Sequence, residues 1–330
     1  MSEVPIRHTT TRDELCELLR ARALTQMATI ARMRELVPSR PDTRSRRGQA
    51  KRKTTSLSCL RRKLPSPGPS RLAIRARAYD KTWSNPTGQV LTPVVDGVVW
   101  AAERPFIWNS IDVGGKMGVV KLEDGTLWVH SPVDLDALTK NAIDALGSVR
   151  HVVSPNFEHV KWAAQWKEAY PDATLWGCPD MKQKYPEIPW DEELVDGEGN
   201  FGGARAEFAA TWFNCETNPF TGKPFFNETV FVHKPTRVLF VTDLFWNYPD
   251  GAEAVDVDGT HVELPLGTKA WKFGMDRLYL PFYRKAMVRD AARFATKRDA
   301  LLPTFDAVLP CHGACVASGG AKIVEEHLKL

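Results

Sequence analysis

The stretch Val149-Arg-His-Val-Val-Ser-Pro-Asn-Phe-Glu-His159 decides how the chain is read. Its first half is apolar and β-branched, the composition of a buried strand. Its second half, Ser154-Pro-Asn-Phe-Glu-His159, breaks that run and offers a carboxylate and an imidazole at the strand's end. Two later segments repeat the arrangement: Val241-Thr-Asp243 and Cys311-His-Gly313 each follow or close an apolar run. Open α/β folds keep their ligands outside the carboxyl ends of strands. If three such ends converge, they bring together Glu158, His159, Asp243 and His312, a ligand set for one divalent metal ion.

Outward from this stretch, strands and helices alternate. Residues 90–100, 118–122 and 125–130 read as strands, the last two joined by the hairpin signal Glu123-Asp-Gly125. Residues 131–146 read as a helix with Leu135, Leu138, Ala142, Ile143 and Leu146 on one face. Residues 159–170 read as another, with Trp162, Trp166 and Tyr170 at four-residue steps, and 173–177 as the next strand. This order is an α/β signature. A second hairpin pairs 228–233 with 237–242 through Lys234-Pro-Thr236. A loop over 249–268, a basic amphipathic helix over 287–302, a short strand over 307–309 and a terminal helix over 319–330 complete the reading. Two β-rich halves, each followed by helices, predict an αββα sandwich in one domain over 78–330.

Ahead of that domain, residues 1–37 read as a helical extension. Thr11-Arg-Asp-Glu14 fits a capping box, and Pro38 and Pro41 end the helix over 11–36. Residues 38–77 hold thirteen Lys or Arg against one acid, Asp42. That local charge of +12, within an overall +4, leaves −8 on the rest of the chain. A segment so charged buries too little apolar area to offset its ordering entropy and reads as a disordered basic linker. It is either an organelle-targeting or nuclear-import patch or a solvated tail; Glu3, Asp13, Glu14 and Glu17 count against a transit peptide. The acidic body argues against nucleic acid as its ligand.

No apolar run reaches the roughly 18 residues of a membrane span. No apolar core of about 7–15 residues follows Met1-Ser-Glu-Val-Pro5, so a secretory signal is not expected. Cys16, Cys59, Cys178, Cys215, Cys311 and Cys315 form no CxxC pair, which predicts reduced thiols in a soluble intracellular protein. The cytoplasm is the default compartment, with a plastid or other organelle as the alternative through the basic segment.

Four segments carry a family resemblance: Leu127-Trp-Val-His-Ser-Pro132, Val149-Arg-His-Val-Val-Ser-Pro-Asn156, Phe240-Val-Thr-Asp-Leu-Phe-Trp-Asn247 and Leu309-Pro-Cys-His-Gly313. Over roughly residues 88–325, their order resembles the metallo-β-lactamase superfamily, and most nearly an uncharacterised branch of it found in bacteria, algae and plants. The superfamily's metal loop has the form His-x-His-x-Asp-His. Aligned on its last histidine, this chain places Ser154 and Asn156 at the first two histidines, Glu158 at the aspartate and His159 at the end. The bridging aspartate matches Asp243 and the terminal histidine matches His312. The segment Trp212-Phe-Asn-Cys-Glu-Thr217, where a third histidine belongs, holds none. The resemblance thus implies a lost first site and a surviving second one of Glu158, His159, Asp243 and His312.

Each residue also has a plainer role. Asp243 suits an N-cap, and Glu158 a helix dipole. Asn156 either faces a substrate or water or caps the loop. His130 stands where the family supports its metal loop, but a strand-end histidine bonded to backbone is the preferred reading. Cys311 would favour zinc as a thiolate, yet reads first as a buried apolar cysteine. Cys215 and Glu216 are possible substitutes for the missing histidine. Trp246 packs in the core or walls a pocket.

Two functions follow. One is a single-metal hydrolase acting on a small ester, thioester, amide or phosphoester, with Zn first and Fe or Mn as alternatives, and with Asp243 and Asn156 as catalytic residues. The other is a non-catalytic binding or scaffold protein whose metal site has decayed and holds no ion.

Overall fold

Two glycine turns organise the first sheet. In the computed structural model, which describes residues 78–196, 206–249 and 263–330, Gly97 (φ +75°) and Gly125 (φ +82°) take left-handed backbone that disfavours other residues. Gly97 reverses the chain between β1 (Thr92–Val95) and β2 (Val99–Arg104), which pair antiparallel. The single strand expected over 90–100 is therefore two, split by Asp96-Gly97, a two-residue hairpin signal between apolar runs. The little hairpin of β3 (Ile107–Trp108) and β4 (Ile111–Asp112) leads into β5 (Gly115–Lys121), which joins β2. The Gly125 turn brings β6 (Leu127–His130) alongside β5, as its sequence signal predicts.

From β6 onward the sheet is parallel. β7 (Val149–Ser154), β8 (Thr174–Gly177) and β9 (Glu192–Glu193) follow in order and complete seven strands. Helix α1 (Ala137–Leu146) connects β6 to β7 and starts six residues later than expected. Asp136 fixes that start by accepting the Thr139 N–H at 2.7 Å. As a result Leu138 points to solvent, while Thr139, Ile143 and Leu146 are buried. Helix α2 (Ala163–Ala169) likewise starts after His159 rather than at it.

The second sheet has four strands: β10 (Phe208–Trp212), β11 (Thr229–His233), β12 (Val238–Val241) and β13 (Ala307–Pro310). The first three are antiparallel and β13 runs parallel to β12. The hairpin expected from the sequence is β11–β12. β10 was not expected, because Phe-Ala-Ala-Thr-Trp has little β-branched character.

The two sheets meet face to face around Trp128, which is fully buried, its ring 4.3 Å from Phe208 and 5.3 Å from Phe231 and Phe240. Gly118 lets them close: a Cβ there would lie 2.6 Å from Phe240 Cε1. On the far face of the first sheet, Ile143, Leu146 and Trp166 pack over Val119, Val129 and Val152. On the far face of the second, Tyr283, Phe294, Leu301 and Val324 pack over Val230 and Leu239. The layers are thus helix, sheet, sheet, helix, the αββα order expected.

The second helical layer departs from expectation in one place. α3 (Leu266–Gly274) continues through π-helical turns at Met275–Tyr279 and Tyr283–Met287 that flank Leu280–Phe282. Gly267, Gly274 and Pro281 hide this run from a helical reading, and each π turn shifts its period. It occupies the end of the expected 249–268 loop and the start of the expected 287–302 helix. The latter is α4 (Ala291–Leu301), capped by Asp290, whose side chain accepts the Arg293 N–H at 2.9 Å. α5 (Gly320–His327) ends the chain. The expected helix over 11–36 and basic linker over 38–77 lie outside the described residues. Among the described residues no helix is long and apolar enough to cross a membrane.

Candidate metal centre

The ends of β7, β12 and β13 meet. His159 Nε2 lies 3.2 Å from Asp243 Oδ2, and His312 Nε2 lies 3.5 Å from Asp243 Oδ1. The two imidazole rings stand 5.4 Å apart. One carboxylate therefore joins two histidines that are 153 residues apart in sequence.

Each side chain in this group is oriented by a neighbour. His312 Nδ1 is 2.7 Å from the Gly114 carbonyl. A carbonyl only accepts, so Nδ1 carries a proton, and in the neutral ring Nε2 presents its lone pair beside Asp243. His159 Nδ1 is 2.7 Å from Ser131 Oγ and 3.5 Å from Cys311 Sγ. Ser131 holds a left-handed backbone (φ +53°) and also meets Cys311 at 3.4 Å. Asn156 works in two directions. Its Oδ1 accepts the backbone N–H groups of Glu158 and His159, each at 3.0 Å. Its Nδ2 donates to Asp243 Oδ2 at 2.7 Å and Thr242 Oγ1 at 2.9 Å. It caps the loop and holds the carboxylate at once.

Beneath Asp243 lies Glu228, which is buried. Its Oε1 accepts the Thr242 N–H at 2.6 Å, and its Oε2 accepts those of Asp243 and Leu244 at 2.8 Å. Burial, with the Asp243 charge behind it, pushes the Glu228 carboxyl up to about 7 against the pull of these N–H groups.

Charge in the group is mutually supported. Burial disfavours an ionised Asp243, but His159 and then His312 outweigh it and hold the carboxyl well below the usual range. Burial also opposes a charged His159; Cys311 and Asp243 reverse this and raise its pKa well above the ordinary value. His312 is raised by the same two neighbours against burial. Burial would raise Cys311, yet the two histidines bring its thiol down to about 6.

Of the expected ligands, His159, Asp243 and His312 come together, and Asn156 joins them. Glu158 does not: its side chain is exposed. The Asn156 cap turns the backbone between the two residues and directs the glutamate outward. Cys311 is buried, as expected, but it is more than apolar filling. His159, Cys311 and His312 each offer a donor atom within 4.8 Å of the others. Ser154 is buried, and among the described residues its Oγ has no hydrogen-bond partner. His130 is not the backbone-bonded histidine expected. It is buried against Trp128, Phe231 and Phe240, and its Nε2 has no hydrogen-bond partner among the described residues. Glu216 commits Oε1 to the N–H groups of Phe226 and Asn227, at 2.8 and 3.0 Å. Trp246 is buried and donates to Asp276 at 2.9 Å.

Sequence reasoning missed Ser131 and Glu228. Nothing in a lone Ser after a strand, or a Glu before one, separates these roles from surface positions.

The donor set fits a divalent ion. Two imidazoles with the Asp243 carboxylate at their Nε2 atoms are groups that zinc, iron or manganese takes in proteins, and the thiol of lowered pKa on the Nδ1 side of His159 is a donor that suits zinc. The orientation of both rings by outer hydrogen bonds is the support that metal-binding histidines receive.

The chain belongs to the family described as a domain of unknown function (DUF4336), whose sequence pattern matches residues 96–266. The comparison with curated proteins found no match. Among solved structures, the chain is similar to the metallo-β-lactamase DIM-1 exposed to ceftazidime, at 11% identity and a TM-score of 0.47, over 72% of this chain and 95% of that one. It is also similar to a metallo-β-lactamase from Erythrobacter litoralis with β-mercaptoethanol in the active site, at 12% identity and a TM-score of 0.47, over 73% and 94%. A third similar structure is the metallo-β-lactamase FIM-1 from Pseudomonas aeruginosa in its mono-zinc form, at 12% identity and a TM-score of 0.41, over 73% and 96%.

Proposed function

We propose that the protein holds a single divalent ion at His159, Asp243 and His312 and hydrolyses a small ester, thioester, amide or phosphoester. Zinc is the first choice, because His159, His312 and the Cys311 thiol offer donor atoms within 4.8 Å of one another, and soft donors favour zinc over iron or manganese. The observation that carries this reading is the convergence of two imidazole Nε2 atoms on opposite oxygens of one carboxylate. When bound, such an ion polarises a substrate oxygen and makes water a better nucleophile near neutral pH.

The chain's own residues do the rest. Gly114 and Ser131 set the two rings. Asn156 draws on Asp243 Oδ2 and leaves Oδ1 toward His312. Glu228 fixes the backbone on which Asp243 rides. In this reading Asp243 orients or deprotonates the attacking water, and Asn156 holds it for that task.

Metal content of the purified chain and three variants tests the proposal. His159→Ala and His312→Ala each lose the ion, and Ser154→Ala keeps it. Chelation lowers thermal stability, because a real site couples metal to folding. Equal metal in all variants would sink the assignment. Less than about a tenth of an equivalent in the wild type, with no effect of chelation, supports the non-catalytic scaffold reading instead.

A further inference from the structure

The helical run over residues 266–287 has one side committed to the fold. Thr268, Tyr283 and Met287 are buried. Trp271 donates to the Tyr248 hydroxyl at 3.0 Å, and Asp276 accepts from Trp246 at 2.9 Å. The other side is unusual. Leu266 is 83% exposed, Phe273 63%, Leu278 68% and Phe282 41%. The two π turns keep these residues outward although their spacing departs from a simple α-helical period. The β3–β4 hairpin, whose Ile111 sits against Gly267, adds Ile107 at 61% exposure. Several large apolar side chains within one short run are more than the single exposed residues normal for a soluble surface.

The charge on this face is equally one-sided. Residues 266–289 hold six Lys or Arg and one acid. That acid, Asp276, is tied to Lys272 at 2.6 Å and to Trp246. Lys269, Arg277 and Lys285 are exposed within the run, and Arg289 just beyond its end. Glu263 meets Lys269 at 2.8 Å, but both are exposed, and such a pair contributes little. The core of a protein–protein interface is depleted of lysine, so this interleaving does not match a second protein. It matches an anionic bilayer surface, where Leu and Phe enter the headgroup–acyl boundary and Lys and Arg meet lipid phosphates.

We propose that the outer face of residues 266–287 docks on an anionic lipid bilayer. The helix lies in the interface and does not span. Trp246 and Tyr248, which follow Asp243 in sequence, bond to its inner side, so docking brings the Asp243 loop to within one helix of the lipid. The inference does not depend on the metal reading.

Flotation of the full chain with phosphatidylcholine vesicles, with and without phosphatidylglycerol, tests it. The basic segment over 38–77 would also attract anionic vesicles, so the decisive comparison is between wild type and patch variants of the same full chain. Wild type floats with the phosphatidylglycerol vesicles. The double variant Phe273→Ser, Leu278→Ser binds them about tenfold less or weaker still, with an unchanged thermal midpoint, because both side chains are exposed. Lys285→Glu with Arg289→Glu also loses binding, and most of that loss appears at low salt. Equal flotation of wild type and the Phe273/Leu278 variant overturns the proposal, as does no flotation of wild type. A wild-type dimer that dissociates in that variant also overturns it and assigns the face to a second copy of the chain.

Discussion

Gly313 stands between His312 and the strap that follows Asp243, and replacing it with alanine tests how that junction is built. Its backbone is left-handed (φ +93°). A Cβ there would fall inside the van der Waals envelope of the Asn247 carbonyl and 2.7 Å from Tyr248 N. These are backbone atoms, so no side chain can swing aside. Two hydrogen bonds flank the residue: Asn247 N–H to His312 O at 3.0 Å, and Ala314 N–H to Asn247 O at 2.8 Å. The methyl group must push these strands apart. The left-handed backbone costs about 1–2 kcal/mol, the overpacking about 1–3 kcal/mol, and weakening the two bonds about 1 kcal/mol more. Gly313→Ala therefore loses roughly 4 kcal/mol. Gly125→Ala is the matched control. Its φ is +82°, but nothing lies within 4 Å of its would-be Cβ, so it loses only the backbone share of about 1 kcal/mol. Urea unfolding of both variants should separate them by about 3 kcal/mol, and thermal midpoints by roughly 6–12 °C at 2–4 °C per kcal/mol. Gly313→Ala should also weaken metal binding, since His312 moves with the strap, while Gly125→Ala should not. Two variants within about 1 kcal/mol of each other would refute the steric argument.

Gly118→Ala places a methyl 2.6 Å from Phe240 Cε1 between the sheets and should cost about 2 kcal/mol. Phe240→Leu in the same chain should recover part of that loss in a double-mutant cycle, and strict additivity would count against the contact. Stability should also fall with acid. Burial holds His130 and His327 down to about 3, with the His159 charge helping at the first and Arg284 at the second. The unfolded chain protonates these rings near pH 6.5 and the folded chain does not, so stability is lost as pH drops from about 6.5 toward 3, by up to about 1.4 kcal/mol per pH unit for each histidine. Urea unfolding at several pH values checks this, and His327→Phe should flatten the slope; an unchanged slope would contradict the assignment.

The sequence exposes some features of this molecule and hides others for physical reasons. The strands that end in His159, Asp243 and His312 are legible, because β-branched runs followed by a polar break mark a strand and its exit together. The nearness of Asp243 and His312 is legible too, since β12 and β13 are parallel neighbours and place their exits on one edge, whereas His159 comes from the other sheet and joins them only through the packing of the two. Glu158 misleads because one hydrogen-bonded turn decides its direction: Asn156 Oδ1 takes the next two usable N–H groups and the glutamate swings out. Glu228 and Ser131 act only through tertiary neighbours, 14 and 28 residues away for Thr242 and His159, and no local pattern encodes that. The run over 266–287 escapes because its outward side is apolar, the reverse of the amphipathic rule by which helices are recognised.

The groups beside Asp243 also bear on whether a second ion fits next to the one proposed. Asn156 Nδ2 points at Asp243 Oδ2 from 2.7 Å. An amide NH₂ is a donor without a lone pair to give, so no cation can occupy the place it fills. Its Oδ1, the end that could bind a metal, is already spent on two backbone N–H groups. Flipping the amide would set its oxygen against a carboxylate that His159 and His312 hold well below the usual pKa range. The same flip would turn two donors on the N–H groups of the loop. Ser154, buried and without a hydrogen-bond partner among the described residues, adds one neutral hydroxyl on that side. A second ion beside Asp243 would thus have to break the turn that positions His159, one of the residues proposed to hold the first.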